Sequence, residues 1–470
     1  MLLYFQLVAL TVLFLVSETL GSASDSDGII AFPVRPAVRP TKFTSLEGQA
    51  IEGAAAEGFI AKVYLGTPPQ HINLYVDTGS SDIAVAASDD NNLPTYFFTN
   101  RSATYVAGTE DVSKRFVTGG YNGTAGSDIL RDMTSMSLRV PLIAIASSVD
   151  MFPPNARRQG LWGLAFPHLT RQQSFMEALT AEKGITHFVL SYCDKHEMGS
   201  AQNFGALSFN AKIPNGTLFT PVYMPTYFSV YVSNIRVGES EWPGLCSELN
   251  DDPAIVDTGA TNLLLPEDVF RWVFDMLNEQ GKYNLSSDIT TVYCFEDGFV
   301  VNDFPILEVL MPDAQGNIFT LKIPPSVYFQ EVTLKRGDHG CYKLAVADSP
   351  SGIMIGFAII RGLTTVFDLG NKRVGFAALH CNANDVIVEY AEKEHAGNFF
   401  CCLRFYTTGF CQCGSLPNTA KQFCIKKKKN TVLLSSAWWD SADFPLSIIF
   451  LGIWFTAEIV SAHTTEKGKH

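Results

Sequence analysis

The tripeptide Asp-Thr-Gly occurs twice in the chain, and each copy ends a short apolar run. The first copy begins at Asp77, after Leu-Tyr-Val, and the second begins at Asp257, after Ile-Val. Further along each half, an apolar pair followed by glycine recurs, as Leu-Trp-Gly at 161–163 and Met-Ile-Gly at 354–356. Self-similarity of this kind indicates two related lobes with one aspartate in each.

The rest of the chain shows the sequence pattern of an all-β protein. From Phe59 onward, short alternating apolar runs are separated by Gly, Pro and Asn, as in strands joined by turns. The best helical spacing of apolar residues is at 174–182 and 266–280. A chain of 470 residues is too long to fold around a single hydrophobic core, and its 47% hydrophobic content can fill more than one. We predict an all-β fold of two β-rich lobes with the active-site cleft between them.

Two paired aspartates carry a specific chemistry, whereas a single Asp-Thr-Gly is an ordinary turn. Gly79 and Gly259 let backbone N–H groups approach the carboxylates, and Thr78 and Thr258 can hydrogen-bond from one lobe to the other. Two carboxylates held close share one proton at acidic pH. The charged one can activate a water while the protonated one polarises a carbonyl, which is general acid–base hydrolysis.

Other chemistries lack support in the sequence. The net charge of −13 argues against a nucleic-acid partner, because phosphate binding requires clustered Lys and Arg. The chain contains no H-E-x-x-H, G-x-S-x-G or GxxxxGK[ST] motif, and its nine histidines show no metal-ligand spacing. We therefore expect neither a metal nor a cofactor.

The beginning of the chain indicates entry into the secretory pathway. Residues 2–16 are almost wholly apolar and are followed by small residues, as in a signal peptide, although a membrane-anchoring helix is the alternative. Four N-glycosylation motifs fit a lumenal chain, at Asn100, Asn122, Asn215 and Asn284. Ten cysteines in this context suggest disulfides.

These signals divide the chain into expected segments. They are a signal peptide (1–21), a Pro-rich pro-segment or linker (22–52), an N-terminal lobe (53–218), a C-terminal lobe (219–402), an uncharacterised tail (403–443), an apolar run (444–462) and a short C-terminal tail (463–470). The apolar run is just long enough to span a bilayer, but Glu458 interrupts it and lysines precede it. An interfacial or poorly structured tail is therefore the alternative to a membrane anchor.

Together the motifs resemble the pepsin family, and within it the beta-secretase branch, over about residues 57–402. Besides the paired Asp-Thr-Gly, the resemblance rests on Gly-Thr-Pro-Pro-Gln from Gly66, on Val-Phe-Asp from Val366 and on Arg-Val-Gly-Phe from Arg373. Two features point to the beta-secretase branch. Ala84 stands where pepsin-like enzymes usually carry Trp, and the first lobe lacks cysteines for the small disulfide loop of pepsins.

The resemblance implies a disulfide framework in the second half of the chain. Its pairs are Cys193 with Cys381, Cys246 with either Cys401 or Cys402, and Cys294 with Cys341. Burial without pairing is the alternative for these cysteines.

The resemblance also implies a flap, a β-hairpin that covers the cleft and binds substrate. The expected flap positions are Phe116, Thr118, Gly119 and Tyr121. Phe116 replaces the family's Tyr, so it keeps an apolar wall but lacks the phenolic hydrogen bond. Tyr121 occupies the place of that Tyr's Trp partner in beta-secretases.

A second departure from the family pattern lies directly beside the two aspartates, Asp77 and Asp257, which are called the dyad below. Ser80 follows the first motif and can donate a hydroxyl hydrogen bond to its carboxylate, whereas Ala260 follows the second motif. A missing donor should make Asp257 harder to ionise.

The expected function is that of an aspartic endopeptidase, made as a zymogen, monomeric, and acting on extended polypeptides. The beta-secretase resemblance implies shedding of membrane-protein ectodomains, with a C-terminal span as the anchor. The alternative is a catalytically silent peptide-binding homologue, which Phe116 and Ala260 motivate.

Overall fold

The computed structural model describes residues 29–45, 50–91, 93–117, 119–132, 136–152, 156–193, 204–294, 298–334, 340–379, 385–391, 411–415, 422–428 and 431–436.

Most described residues are in strands. In the first half these are β1 (Ile30–Ser45), β2 (Ala50–Leu65), β3 (Gln70–Asp77), β4 (Ile83–Ala86), β5 (Val106–Arg115), β6 (Gly120–Arg131), β7 (Ser137–Val149), β8 (Gly160–Gly163), β9 (His187–Cys193), β10 (Phe204–Phe209) and β11 (Leu218–Pro221). In the second half they are β12 (Ser229–Val230), β13 (Asn234–Val237), β14 (Ser240–Glu241), β15 (Ala254–Val256), β16 (Leu263–Pro266), β17 (Thr291–Cys294), β18 (Leu307–Pro312), β19 (Ile318–Ile323), β20 (Phe329–Glu331), β21 (Thr333–Leu334), β22 (Cys341–Leu344), β23 (Val346–Ser349), β24 (Met354–Ile355), β25 (Leu363–Asp368), β26 (Arg373–Ala378) and β27 (Ile387–Tyr390). The tail adds β28 (Cys411–Ser415), β29 (Gln422–Lys428) and β30 (Thr431–Ser436).

Helices are few and mostly short. They are α1 (Phe175–Lys183), α2 (Glu267–Gln280), α3 (Pro325–Tyr328) and α4 (Phe357–Ile360), with 3-10 turns at Asp89–Asn91, Thr99–Arg101, Pro167–Leu169 and Val301–Asp303. Helix α1 starts with a capping box in which Ser174 and Glu177 satisfy each other's backbone N–H groups. The two longer helices lie within one residue of the bounds expected from apolar spacing.

The two halves repeat one arrangement of strands around each Asp-Thr-Gly. In the first, β3 runs parallel to β8, which places Asp77 opposite Gly163. In the second, β15 runs parallel to β24, with Val256 opposite Ile355. A third strand, β4 or β16, pairs antiparallel with β8 or β24. The apolar triplets of the sequence repeat are thus the strands that flank the two motifs, and the fold is the expected all-β, two-lobed one.

A shared sheet joins the halves. Strand β9 of the first half pairs with β10 on one side and with β25 of the second half on the other. Strand β26 then pairs with both β25 and β11. Because these backbone hydrogen bonds cross from one half to the other, neither half is an independent unit.

Aromatic side chains fill the core at this sheet. Phe188 of β9 stacks on Phe367 of β25 with ring centroids 4.8 Å apart. Phe209 and Phe228 contact the Phe188 ring from other directions, at 5.7 and 6.1 Å. All four rings are buried, so the packing between halves depends on large apolar surfaces.

The segment expected to be a pro-segment or linker contains a long strand, and its role stays a prediction. Strand β1 pairs antiparallel with β10 and β2, from Ile30 onward. Ile30, Phe32 and Val34 are buried while the residues between them are exposed, which is the alternation of a half-buried strand. The abundant prolines conceal that pattern in the sequence. The lobe boundaries at 53 and 218 stay predictions.

The tail adds a separate antiparallel sheet in which β29 pairs with both β28 and β30. Among the residues that the structure describes, no helix is long and apolar enough to span a membrane. The expected signal peptide and the apolar run at 444–462 both lie outside those residues.

The shared aromatic core gives the first prediction. Phe188→Ala should lower the free energy of unfolding by about 3–5 kcal/mol, because it removes a buried ring and leaves a cavity. Phe270→Ala is the matched control, since Phe270 on α2 is only partly buried, and it should cost clearly less. Chemical unfolding of both variants measures the difference. Equal costs would contradict the role assigned to this core.

Candidate active site

The two Asp-Thr-Gly turns meet where the halves join, and reciprocal hydrogen bonds hold them together. The Thr78 backbone N–H donates to Thr258 Oγ1 at 3.0 Å, and the Thr258 N–H donates to Thr78 Oγ1 at 2.9 Å. Each hydroxyl in turn donates to the opposite strand, Thr78 to the Val256 carbonyl and Thr258 to the Val76 carbonyl. Both threonines are buried, so the four bonds fix one turn against the other.

Each carboxylate is oriented by the glycine of its own turn. Asp77 Oδ1 accepts from the Gly79 N–H, and Asp257 Oδ1 accepts from the Gly259 N–H, both at 2.8 Å. A Cβ on Gly79 would lie 2.6 Å from Asp257 Oδ2, and a Cβ on Gly259 would collide with Asp77 Oδ1. A side chain at either glycine would therefore collide with the carboxylate of the opposite aspartate.

The Ser80 hydroxyl makes the environments of the two aspartates unequal. Ser80 Oγ donates to Asp77 Oδ2 at 2.5 Å, whereas Ala260 has no hydroxyl to offer Asp257. Burial raises the pKa of Asp77, but the hydrogen bonds from Ser80 and Gly79 oppose the rise. Burial and then the charge of Asp77 raise the pKa of Asp257 to about 7. Asp257 is therefore the carboxyl that is harder to ionise.

The hairpin of β5 and β6 stands at the expected flap. The Phe116 N–H donates to the Gly119 carbonyl, and Gly119 has φ of 87°, in the left-handed region that glycine tolerates. Phe116 and Tyr121 are neighbours, with ring centroids 6.0 Å apart. Thr118, the remaining expected flap residue, lies outside the described residues.

Tyr121 lies on β6 of the hairpin, within electrostatic range of Asp77. Its side chain is buried in a small apolar cluster with Ala84, Ile143 and Ile145, so the small Ala84 leaves room for the ring. Burial raises the pKa of Tyr121, and the charges of Asp82 and Asp77 raise it further. Tyr121 is therefore a neutral phenol on the Asp77 side of the site.

Sequence analysis missed a polar cluster beside the dyad. Tyr75, two residues before Asp77, donates to the Glu57 carbonyl at 2.7 Å, and its hydroxyl lies 3.5 Å from the Gly259 carbonyl oxygen. Arg158 forms an ion pair with Glu57 at 2.5 Å and stacks 4.6 Å from the centre of the Tyr75 ring. The available signal was an Arg-Arg pair just before β8, the strand that flanks β3.

The cysteines agree with a disulfide-bonded second half. Cys294 and Cys341 form a disulfide that links β17 to β22, and Cys246 is also disulfide-bonded. Its two expected partners, Cys401 and Cys402, lie outside the described residues, as does Cys381. The side chain of Cys193 is likewise not described, so the pairing of Cys193 with Cys381 stays a prediction.

The four glycosylation motifs are all accessible. Asn100, Asn122, Asn215 and Asn284 are exposed. Asn122 lies on β6, within the flap hairpin, where the strand pairs with its neighbours through the backbone. Folding therefore does not bury this side chain, and all four remain predicted glycan sites.

Known proteins match the chain over the same region. The family described as eukaryotic aspartyl protease matches residues 58–379. A beta-secretase of Strongylocentrotus purpuratus is 31% identical over 369 residues, which cover 70% of this chain and 68% of that protein. Human gastricsin is 27% identical over 334 residues, or 68% of this chain and 81% of gastricsin. The gastricsin of Callithrix jacchus is 26% identical over 338 residues, again 68% and 81%.

The chain therefore belongs to the eukaryotic aspartyl protease family and is, by class, an aspartic endopeptidase. The resemblance to the pepsin family, and within it to the beta-secretase branch, is confirmed.

The threonine bridge gives the second prediction. Thr258→Val should destabilise the protein, because it leaves the Thr78 N–H and the Val76 carbonyl unpaired at about 1–3 kcal/mol for each buried group. Thr320→Val is the matched control. The Thr320 side chain is also buried, but its hydroxyl has no hydrogen-bond partner among the described residues, so removing it should be neutral or stabilising. Thermal unfolding tests both, and similar effects would refute the structural role of the bridge.

The asymmetry at Ser80 and Ala260 gives the third prediction. Ala260→Ser supplies a donor that favours ionised Asp257, so the pKa of Asp257 should fall below about 7. The alkaline limb of the kcat/KM profile for peptide hydrolysis should then move to lower pH, since it reports loss of the shared proton. A net hydrogen bond of about 0.5–1.5 kcal/mol corresponds to a shift of about half a pH unit to one unit.

Ser80→Ala is the mirror-image variant. It removes a bond that favours ionised Asp77, so the acid limb should move to higher pH while the alkaline limb changes less. An unmoved alkaline limb in well-folded Ala260→Ser would show that the hydroxyl has no part in the asymmetry.

Proposed function

We propose that this chain hydrolyses peptide bonds in extended polypeptides, with Asp77 as the general base and Asp257 as the general acid. The observation that carries the assignment is the single hydroxyl donor on Asp77, together with the raised pKa of Asp257. One carboxylate is thereby favoured as the anion and the other as the neutral acid over the same pH range.

The proposed reaction needs one water and no covalent intermediate. Asp77 accepts a proton from the water as its oxygen bonds to the scissile carbonyl carbon, and Asp257 gives its proton to the carbonyl oxygen. The resulting diol collapses when the C–N bond breaks and the proton on Asp77 passes to the leaving nitrogen. A hydroxyl proton of the diol returns to Asp257, which restores the starting state.

The flap supports the extended form of the substrate. Phe116 is partly exposed at the end of the hairpin and offers an apolar face without a phenolic donor. Backbone hydrogen bonds would hold the peptide, and apolar contacts at the flap would exclude water from the reacting bond.

A membrane-bound substrate is the finer part of the proposal. It is supported by the 31% identity to a beta-secretase and by the apolar run at 444–462. Secretory localisation is supported by the apolar leader and by the exposure of the four glycosylation motifs.

The fourth prediction tests the dyad. Asp77→Asn and Asp257→Asn should each lower peptide hydrolysis by at least about 10³-fold, because each removes one partner of the proton transfer. Asp268→Asn is the control, since Asp268 lies exposed in the first turn of α2, and it should retain activity. Cleavage of a peptide library at several pH values, with and without a statine-type inhibitor, provides the measurement.

The outcomes separate the possible functions. Inhibitor-insensitive cleavage, or activity in either dyad variant, would refute the assignment. Peptide binding without cleavage by the parent protein would identify the silent homologue instead. In cells, release of a reporter ectodomain from a single-span membrane protein should require both aspartates. Cleavage of soluble peptides without such release would leave the endopeptidase intact and refute the sheddase.

A further inference from the structure

A small charged cavity lies between β1, β2 and the segment that precedes β8. Its volume is about 50 Å³, and its charged lining consists of Arg35, Glu57, Arg157 and Arg158. One water needs only about 10–15 Å³ on this measure, so the cavity has room for a carboxylate group. Its other lining residues are uncharged, and include Ala37 and Ile60.

The cavity lies beside the dyad. Arg158 stacks on the ring of Tyr75, and the Tyr75 hydroxyl reaches the Gly259 carbonyl oxygen, 3.5 Å away, in the turn of the second aspartate. The charge of Arg158 also favours ionised Asp77, lowering the pKa of that carboxyl against the effect of burial. The Tyr75 ring therefore lies between Arg158, in the wall of the cavity, and the turn that carries Asp257.

Positive charge exceeds negative charge in the lining. Arg158 and Glu57 neutralise each other in an ion pair whose side chains are only 15% and 14% exposed. Arg35 and Arg157 are exposed, and among the described residues neither forms an ion pair. Their guanidinium groups are thus available to a carboxylate from outside the chain.

We propose that this cavity is a substrate subsite that selects an acidic side chain, Asp or Glu, within about three residues of the scissile bond. The limit of about three residues follows from the position of the cavity, since the Tyr75 ring lies between its wall and the turn of the second aspartate. An extended peptide advances about 3.3 Å per residue, so it covers this distance within a few residues. Arg35 and Arg157 bind the carboxylate, while the Arg158–Glu57 pair and Tyr75 position the wall between subsite and dyad. The proposal rests on the proposed function.

Paired peptides provide the test. Each pair differs only in Glu or Gln at one of three positions on either side of the cleaved bond, so size is constant and charge varies. At pH 5.5, above the ordinary Glu pKa of about 4.3, kcat/KM should favour Glu by about tenfold at one position, as expected for a charge-assisted hydrogen bond. The double variant R35Q/R157Q should bring this ratio close to one.

The control variant removes one arginine charge on helix α2, away from the cavity. Arg271 on α2 makes only exposed ion pairs, so R271Q should keep the parent ratio. Two conditions should also remove the preference without any mutation. They are salt near 1 M, where charges are screened beyond about 3 Å, and a pH below about 4.3, where the substrate Glu becomes neutral.

The outcomes distinguish this inference from the proposed function. Cleavage of both peptides of every pair with no preference for Glu would overturn the subsite and leave the endopeptidase standing. A preference for Glu that persists in R35Q/R157Q would place the recognition elsewhere and also overturn it. If the parent protein cleaves no peptide, the proposed function fails, and the subsite fails with it.

Discussion

The reciprocal hydrogen bonds between Thr78 and Thr258 hold together the part of the molecule on which the chemistry depends. Each threonine accepts from the other's backbone N–H and donates to a carbonyl in the opposite half. These groups are buried, so no water can replace a lost partner. The two carboxylates come from separate halves of the chain, and the proposed sharing of a proton between them requires a fixed separation. The shared sheet and its aromatic core bring the halves together, and the threonine bridge fixes the final register of the turns.

Within this near-symmetric frame, small differences make the surroundings of the two aspartates unequal. The glycine donors are equivalent on the two sides, whereas the Ser80 hydroxyl has no counterpart beside Asp257. Burial opposes ionisation of both carboxyls, and mutual repulsion prevents both from ionising together. The Ser80 hydrogen bond and the charge of Arg158 both favour Asp77 as the anion. The buried neutral phenol of Tyr121 also lies within electrostatic range of Asp77.

The polar cluster of Tyr75, Glu57 and Arg158 places an ion pair in one wall of the site. A partly buried ion pair contributes little net stability by itself, because the desolvation of both charges offsets their attraction. Its effect here is geometric and electrostatic. It holds a guanidinium against the Tyr75 ring and keeps a positive charge near the dyad. Strand β1 contributes Arg35 to the neighbouring cavity, so the N-terminal segment belongs to the surroundings of the site as well as to the sheet.

The sequence by itself determined the elements whose requirements are local. The duplicated motif, the apolar triplets and the turn residues identify the all-β halves, both aspartates and their glycines. The reason is that each of these residues is required by the backbone conformation or carboxylate chemistry at its own position. The Ser80 and Ala260 contrast could also be seen in advance, because both residues follow their aspartates directly.

Tertiary structure alone decided the rest. Tyr75, Glu57 and Arg158 are far apart in the chain and have no shared motif, so only the pairing of β3 with β2 and β8 brings them together. The strand character of the N-terminal segment likewise depends on partners such as β10, which lies some 170 residues further along the chain. Alternation in a proline-rich stretch acquires meaning only when a neighbouring strand accepts its hydrogen bonds. Contacts between residues distant in sequence arise from packing, and no local pattern encodes them.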